Sequence, residues 1–307
     1  MNNGPDISVR LGRLHLKNPV MIASGTSGYG EEYARFIDLN QVGGIIVKGT
    51  SLHPRLGNPP ARVYETAGGM LNSIGLQNVG VDRFIREKLP FLRRFDTKVI
   101  VNIFGNSIED YVEVAKRLDG IQGVSALEMN ISCPNVSEGC MLFGTDAGQT
   151  YRVVKAVRGA TGLPLMVKLS PNVTDIVSIA RGAAEGGAEI LSLVNCLSGM
   201  AVDLKTRRPV LGNIIGGLSG PAVKPVALRM VWEVYRAGLG LPLVGVGGVT
   251  TTNDALEYMM VGASAVQIGT ANLVDPETSV KVAEGLRKYC TENGVHKISE
   301  LVGVLES

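Results

Sequence analysis

Eight short apolar runs, most of them followed by a stretch with helical spacing, constrain this chain more than any other feature of it. The runs fall at 20–23 (VMIA), 43–48 (GGIIVK), 98–103 (KVIVNI), 124–130 (VSALEMN), 164–169 (PLMVKL), 189–195 (EILSLVN), 242–246 (PLVGV) and 264–268 (SAVQI). Near-continuous Val, Ile and Leu is what a strand covered on both faces requires, as in a parallel sheet. Helical spacing predicts helices over 31–38, 108–118, 146–159, 174–185, 222–237, 253–260 and 276–293, with Asn106 and Ser107 as capping candidates for the second. Eight such β/α units predict a (β/α)8 TIM barrel with extended loops at its C-terminal rim, closed by right-handed crossovers. A doubly wound open sheet is the alternative. No linker, repeat or low-complexity tract interrupts the 307 residues, so one domain over 1–307 is expected. Two long non-helical segments, about 49–82 and 196–221, are too long for plain connections and read as functional loops or lids.

Composition narrows the function class. A net charge of +2 without a long Lys/Arg run gives no electrostatic case for nucleic acid. No apolar segment approaches the roughly 18 residues of a membrane span, and MNNGPDISVR lacks a signal-peptide core, so a cytoplasmic location is expected. The four cysteines (133, 140, 196 and 290) form no CxxC pair and no Cys/His ligand spacing, so no metal site is expected on this chain. His15, His53 and His296 have no acid or nucleophile nearby in sequence and read as structural.

Barrel enzymes carry their chemistry where strands end. Here those ends are Ser24, Lys48, Asn102, Asn130 with Cys133, Lys168 with Ser170, Asn195, Gly247 with Gly248, and Gly269 with Thr270. Two Lys and three Asn converging on one rim point to a site. The turn NISCPN (130–135) adds a thiol and a hydroxyl, and Pro134 keeps Cys133 out of the helical region. A thiol there can move a proton while flanking amides hold a polar planar substrate; an inert loop cysteine is the bland alternative. VGVGGV (244–249), QIGTAN (267–272) and GGLSG (216–220) offer backbone N–H groups and helix N-termini to a phosphate, whereas the GxGxxG spacing of a dinucleotide fold is absent. Lys168 suits a flavin, whose anionic reduced ring a nearby cation stabilises. The residues by themselves therefore give a barrel with a phosphate-bearing cofactor and a thiol acid/base.

The segments NPVMIASGT (18–26), VKGTS (47–51), MLNSIGLQN (70–78), NISCPN, VKLSPN (167–172), VNCLSG (194–199), VGVGGV and QIGTAN together resemble class 1 dihydroorotate dehydrogenases, flavin enzymes of pyrimidine biosynthesis. The second class of that family carries Ser where this chain has Cys133. The resemblance implies oxidation of (S)-dihydroorotate to orotate, with Cys133 as the general base taking the C5 proton while hydride leaves C6 for N5 of FMN. It implies substrate contacts from Lys48, Asn72, Ser73, Ile74, Gly75, Leu76, Asn130, Asn195 and Cys196, the last standing where the family often has Ser or Thr. It implies FMN contacts from Ser24, Lys48, Gly49, Asn102, Asn130, Lys168, Val194, Gly220, Gly247, Gly248, Gly269 and Thr270. Gln77 and NVSEGCMLFGTD (135–146) resemble subclass 1B. That subclass passes electrons to NAD through a second subunit carrying FAD and a 2Fe–2S cluster, which implies a heterotetramer of two plus two. A subclass 1A fumarate-reducing homodimer is the alternative.

Three rival readings remain at this point. A barrel that oxidises purine nucleotides would use its Cys as a nucleophile and leave MLNSIGLQN unexplained. A flavoenzyme acting on another dihydropyrimidine keeps most of the site. A non-catalytic flavin-binding barrel gives Cys133 no reason to lie among three Asn and two Lys.

Overall fold

The computed structural model describes residues 4–131 and 143–306. The chain opens with an antiparallel hairpin, β1 (Val9–Leu11) and β2 (Leu14–Leu16), which buries Val9, Leu11, Leu14 and Leu16 and turns Arg10 and His15 to solvent. Next come β3 (Val20–Ile22), β4 (Gly44–Thr50), and a first rim excursion with β5 (Val63–Thr66) and β6 (Gly69–Asn72). A helical run follows: α1 (Val81–Arg83), a π turn over Phe84–Lys88, and α2 (Leu89–Leu92). Regular alternation then resumes with β7 (Lys98–Ile103), α3 (Ile108–Leu118), β8 (Ala126–Asn130), α4 (Ala147–Arg158), β9 (Leu165–Leu169), α5 (Ile176–Glu185) and β10 (Ile190–Leu193). A second excursion holds β11 (Leu197–Gly199), β12 (Val202–Asp203), β13 (Arg208–Pro209) and β14 (Gly216–Ser219). The chain ends with α6 (Lys224–Arg236), β15 (Leu243–Val246), α7 (Thr252–Met260), β16 (Ala263–Ile268), α8 (Ala271–Val274) and α9 (Thr278–Glu292).

Eight parallel strands close into a barrel in the order β3, β4, β7, β8, β9, β10, β15, β16 and back to β3, the (β/α)8 architecture expected from the apolar runs. The runs are continuous because helices cover the outer face while the strands pack on one another inside; β3, β8, β9, β10 and β15 have no exposed residue. Local chemistry sets the helix starts. Ser107, Asp146, Asp175 and Thr251 each accept a hydrogen bond from the backbone N–H three residues on, capping α3, α4, α5 and α7. Among the described residues no helix is long and apolar enough to cross a membrane.

Three expectations need correction. No α-helix forms over 31–38; only a 3-10 turn, Tyr33–Arg35, occurs there, followed by another at Leu39–Gln41. So short a segment is a poor helix nucleus, and the Asp38 carboxylate instead accepts from Asn40 N and starts the second turn. A helical run that the sequence reading missed, α1 through α2, buries Val81, Phe84, Leu89 and Leu92. Pro90 argues against a helix there, and the π turn just before it accommodates the missing donor. The two rim segments are also more than loops: their strands pair across the sequence as one antiparallel sheet in the order β11–β14–β6–β5. Leu71, facing inward from that sheet, is almost wholly buried.

Candidate active site

A cavity of about 430 Å³ lies at the C-terminal ends of the barrel strands, with rim-sheet residues in its wall. That volume falls in the range of pockets that enclose a small ligand or cofactor. Ser24, Lys48, Gly49, Asn102, Asn130, Lys168, Val194, Gly220, Gly247, Gly248, Gly269 and Thr270 all line it. So do Asn72, Ile74, Gly75, Leu76, Asn195 and Cys196. Ser73 does not. It is wholly buried behind the loop, where Asn58 Nδ2 donates to its Oγ at 2.9 Å. Cys133 lies outside the described residues.

The cavity floor is polar and built inside the barrel. Lys168, near the end of β9, is buried and stands beside Asn130 of β8 in the strand register. Its Nζ lies 4.0 Å from Oε1 of Glu128, a carboxylate with no solvent exposure. Asn102 of β7 donates to the same oxygen from Nδ2 at 2.7 Å. Gln267 of β16 and Ser192 of β10 donate to Oε2 at 2.6 and 3.1 Å. Burying a carboxylate is tolerable only with such a full set of donors. The sequence reading missed Glu128, because it sits inside an apolar run and its partners come from distant strands.

One wall is made of glycine turns. Gly220, Gly247 and Gly248 have φ of 102°, 130° and 68°, values that favour glycine. A Cβ on Gly248 would lie 2.8 Å from Lys224 Cβ and 2.9 Å from the Gly220 carbonyl oxygen, and one on Gly220 would lie 2.7 Å from Gly69 Cα. The buried Tyr258 holds the turn from behind, its hydroxyl donating to the Gly247 carbonyl at 2.7 Å. Asp254 ties the turn to α7: Oδ2 accepts from Thr250 N and Thr251 N at 2.9 and 2.8 Å, and Lys224 Nζ donates to Oδ1 at 2.6 Å. Burial opposes ionisation of Asp254, but the hydrogen bonds from Lys224 and Thr250 outweigh it and hold its carboxyl far below the usual carboxylate range. The two amides just ahead of α7 are therefore taken by the helix's own carboxylate. Those of Gly248 and Val249 donate no hydrogen bond among the described residues and remain for a ligand.

The opposite wall carries amides and a second cation. Asn195 Nδ2 donates to Asn130 Oδ1 at 3.2 Å, which ties the two carboxamides together, and Tyr111 Oη donates to the main-chain carbonyl of Asn130 at 2.6 Å. Asn72, on β6, donates from Nδ2 to the Gly217 carbonyl of β14 at 3.3 Å and lies 3.8 Å from Cys196 Sγ. Burial pushes the Cys196 thiol up; the Lys168 charge and the Asn72 contact pull only partly the other way. Burial also depresses the Lys48 ammonium, opposed by Glu32 and reinforced by Arg62.

Residues 7–289 match the family model described as dihydroorotate dehydrogenase. The chain belongs to the dihydroorotate dehydrogenase family. Its relatives include the protein named dihydroorotate dehydrogenase B (NAD(+)), catalytic subunit, of Geotalea uraniireducens, 56% identical over 98% of either chain. The proteins of the same name from Pelobacter propionicus and Geobacter sulfurreducens are 57% and 56% identical over 98% of this chain and 99% of theirs. The cavity of this dihydroorotate dehydrogenase family member also includes wall residues that strand-end reasoning did not supply. Met70, Leu218 and Ser219 come from the rim sheet, and Ala271 and Leu273 from α8. Pairing of the two excursions is what would have revealed the first three. No cluster of three or more metal-ligating side chains occurs among the described residues.

Proposed function

We propose that this chain oxidises dihydroorotate to orotate as the catalytic subunit of an NAD-linked dihydroorotate dehydrogenase. The reading is carried by one observation. The closed barrel gathers Lys48, Lys168, Asn72, Asn102, Asn130 and Asn195 around one cavity whose far wall is a cradle of glycine turns. The cavity fits FMN: Gly220 and Gly248 stand where any Cβ would collide with backbone, and the Gly248 and Val249 amides suit a phosphate. Gly247, Gly269 and Thr270 complete the phosphate side, and Ser24, Gly49, Asn102, Asn130, Lys168 and Val194 hold the ring. FMN, when bound, supplies the hydride acceptor.

The residues of the chain do the rest. Lys168 places a cation beside the ring, in a floor that excludes water. Lys48, whose ammonium burial disfavours, finds a counter-charge in the substrate carboxylate. Asn72, Asn130 and Asn195 orient the pyrimidine edges, while Ile74, Gly75 and Leu76 close over them, braced by Asn58, which donates to Ser73 Oγ and to the Ile74 carbonyl. Cys133 takes the C5 proton as general base. A partner subunit would carry FAD and a 2Fe–2S cluster and supply the route for electrons to NAD, in a cytoplasmic assembly of two plus two. Residues 1–307 act as one domain. Anaerobic addition of dihydroorotate to the FMN-reconstituted chain tests this: its flavin absorbance bleaches and orotate restores it. A yellow chain that dihydroorotate leaves oxidised overturns the reading.

A further inference from the structure

The interior of a barrel of this kind is ordinarily filled with branched apolar side chains. Here one layer holds an acid. Glu128 shares the inward face of β8 with Asn130, one residue pair deeper, below the cavity that Asn130 lines. Its carboxylate accepts from Asn102, Ser192 and Gln267, each on a different strand, and faces the Lys168 ammonium at 4.0 Å. Two of these five residues, Asn102 and Lys168, line the cavity themselves.

Two details argue that the negative charge matters and the side chain is more than filling. With Nδ2 of Asn102 committed to Glu128, its carbonyl oxygen is turned to the Gly49 side, 3.1 Å from where a Gly49 Cβ would stand. Asn102 therefore presents an acceptor, not a donor, toward the strand end that carries Lys48. Gln267 makes the same commitment at a penalty: its Nε2 donates to Glu128 while its buried Oε1 has no partner among the described residues. An amide accepts that arrangement only for a strong, charged acceptor.

We propose that Glu128 is a positioning residue that acts on the flavin through Asn102 and Lys168, fixing which amide atom the ring meets and how much positive charge lies beneath it. This rests on the cofactor reading above. Neutralising Glu128 removes one negative charge 4.0 Å from the Lys168 ammonium and so favours the electron-rich reduced flavin. A unit charge acting across about one layer of side chains, at an effective dielectric of about 20, is worth about tenfold in an equilibrium. E128D keeps the charge but draws it back from Asn102 by one methylene, freeing that amide to turn.

The test is reconstitution of the parent chain, E128Q and E128D with FMN, followed by reductive titration against a dye of known potential and by measurement of FMN affinity. Expected for E128Q is a reduced-to-oxidised ratio raised about tenfold at fixed dye poise. Expected for E128D is a ratio near that of the parent, with FMN bound several-fold more weakly. Parental ratio and affinity in both variants would overturn the proposal. If E128Q does not fold, E128D decides alone, since parental FMN affinity in that variant removes the positioning role. A parent chain that binds no FMN, by contrast, refutes the cofactor reading itself.

Discussion

Gly248 and Gly238 have nearly the same φ, 68° and 65°, in very different surroundings. A Cβ on Gly238, in the turn after α6, meets nothing within 4 Å. One on Gly248 meets Lys224 Cβ, the Gly220 carbonyl oxygen and Lys224 N at 2.8, 2.9 and 3.0 Å. Alanine at either site carries the left-handed strain of about 1–2 kcal/mol, offset by about 0.4–1 kcal/mol from a stiffer unfolded chain. At Gly248 overpacking adds about 1–3 kcal/mol, because two of the three contacts are backbone atoms that cannot swing away. Subtracting G238A from G248A cancels strain and unfolded-state effects and leaves the packing contribution. The assay is thermal and urea unfolding of both variants, run alongside FMN affinity. G248A is expected to unfold several degrees below G238A, at about 2 °C per kcal/mol for a chain of this size. It is also expected to lose FMN affinity, while G238A keeps it. Equal destabilisation by the two, or parental FMN affinity in G248A, would refute the reading of this turn as a close-fitting cradle.

Three further outcomes follow from the site. D254N should lower stability at neutral pH by about 1.5–3 kcal/mol through lost charged hydrogen bonds. Because the folded pKa of Asp254 lies far below the unfolded value, the difference from the parent is complete above about pH 5 and shrinks only as strong acid protonates the group, so a gap as wide at about pH 2 as at neutral pH counts against it. Orotate affinity should fall as pH rises toward 10, since the depressed Lys48 loses its proton below the ordinary lysine value; K48M should bind orotate about tenfold or more weakly and with a flat profile over the same range. C133S should keep FMN yet reduce it about 100-fold or more slowly near neutral pH, and stopped-flow rates matching the parent would remove Cys133 as the base.

What could be read from the sequence follows from where each residue's partners lie. The barrel strands were legible because burial on both faces writes unbroken apolar runs such as Ile45–Val47 and Leu165–Val167. The rim residues Lys48, Asn102, Asn130 and Asn195 stood out because polar groups end those runs. Glu128 did not, although it occupies the same strand as Asn130. Its donors lie 26, 64 and 139 residues away, and only closure of the barrel brings them together. The pairing of β6 with β14 was hidden for the same reason, since it joins Asn72 to Gly217 across two loops that look structureless when read one at a time. At 31–38 local pattern misled outright: Tyr33 and Ile37 are both buried at helical spacing, yet the backbone between them makes only a 3-10 turn.

The same contrast divides the cavity into two constructions. The side proposed for the cofactor rests on barrel strands and the turns that leave them, held by short-range devices such as the Asp254 cap and the Tyr258 hydroxyl. The side proposed for the substrate depends on the rim sheet, where β14 packs so closely that a Cβ on Gly217 would lie 2.6 Å from Cys196 Cβ and one on Gly216 would lie 2.6 Å from the Asn72 carbonyl oxygen. Glycine at both positions is what lets β14 approach Asn72 and Cys196 and fix the space between them. Asn72 cannot take its place until both excursions have paired, because its Nδ2 donates to a carbonyl on the other one. Long-range antiparallel pairing of this kind forms only after loop closure, whereas the glycine turns are set by local backbone preference. On the proposed function, a dihydropyrimidine pocket assembled from both paired excursions over a flavin cradle assembled from the barrel makes substrate recognition conditional on tertiary closure, while cofactor recognition is written into the strand ends themselves.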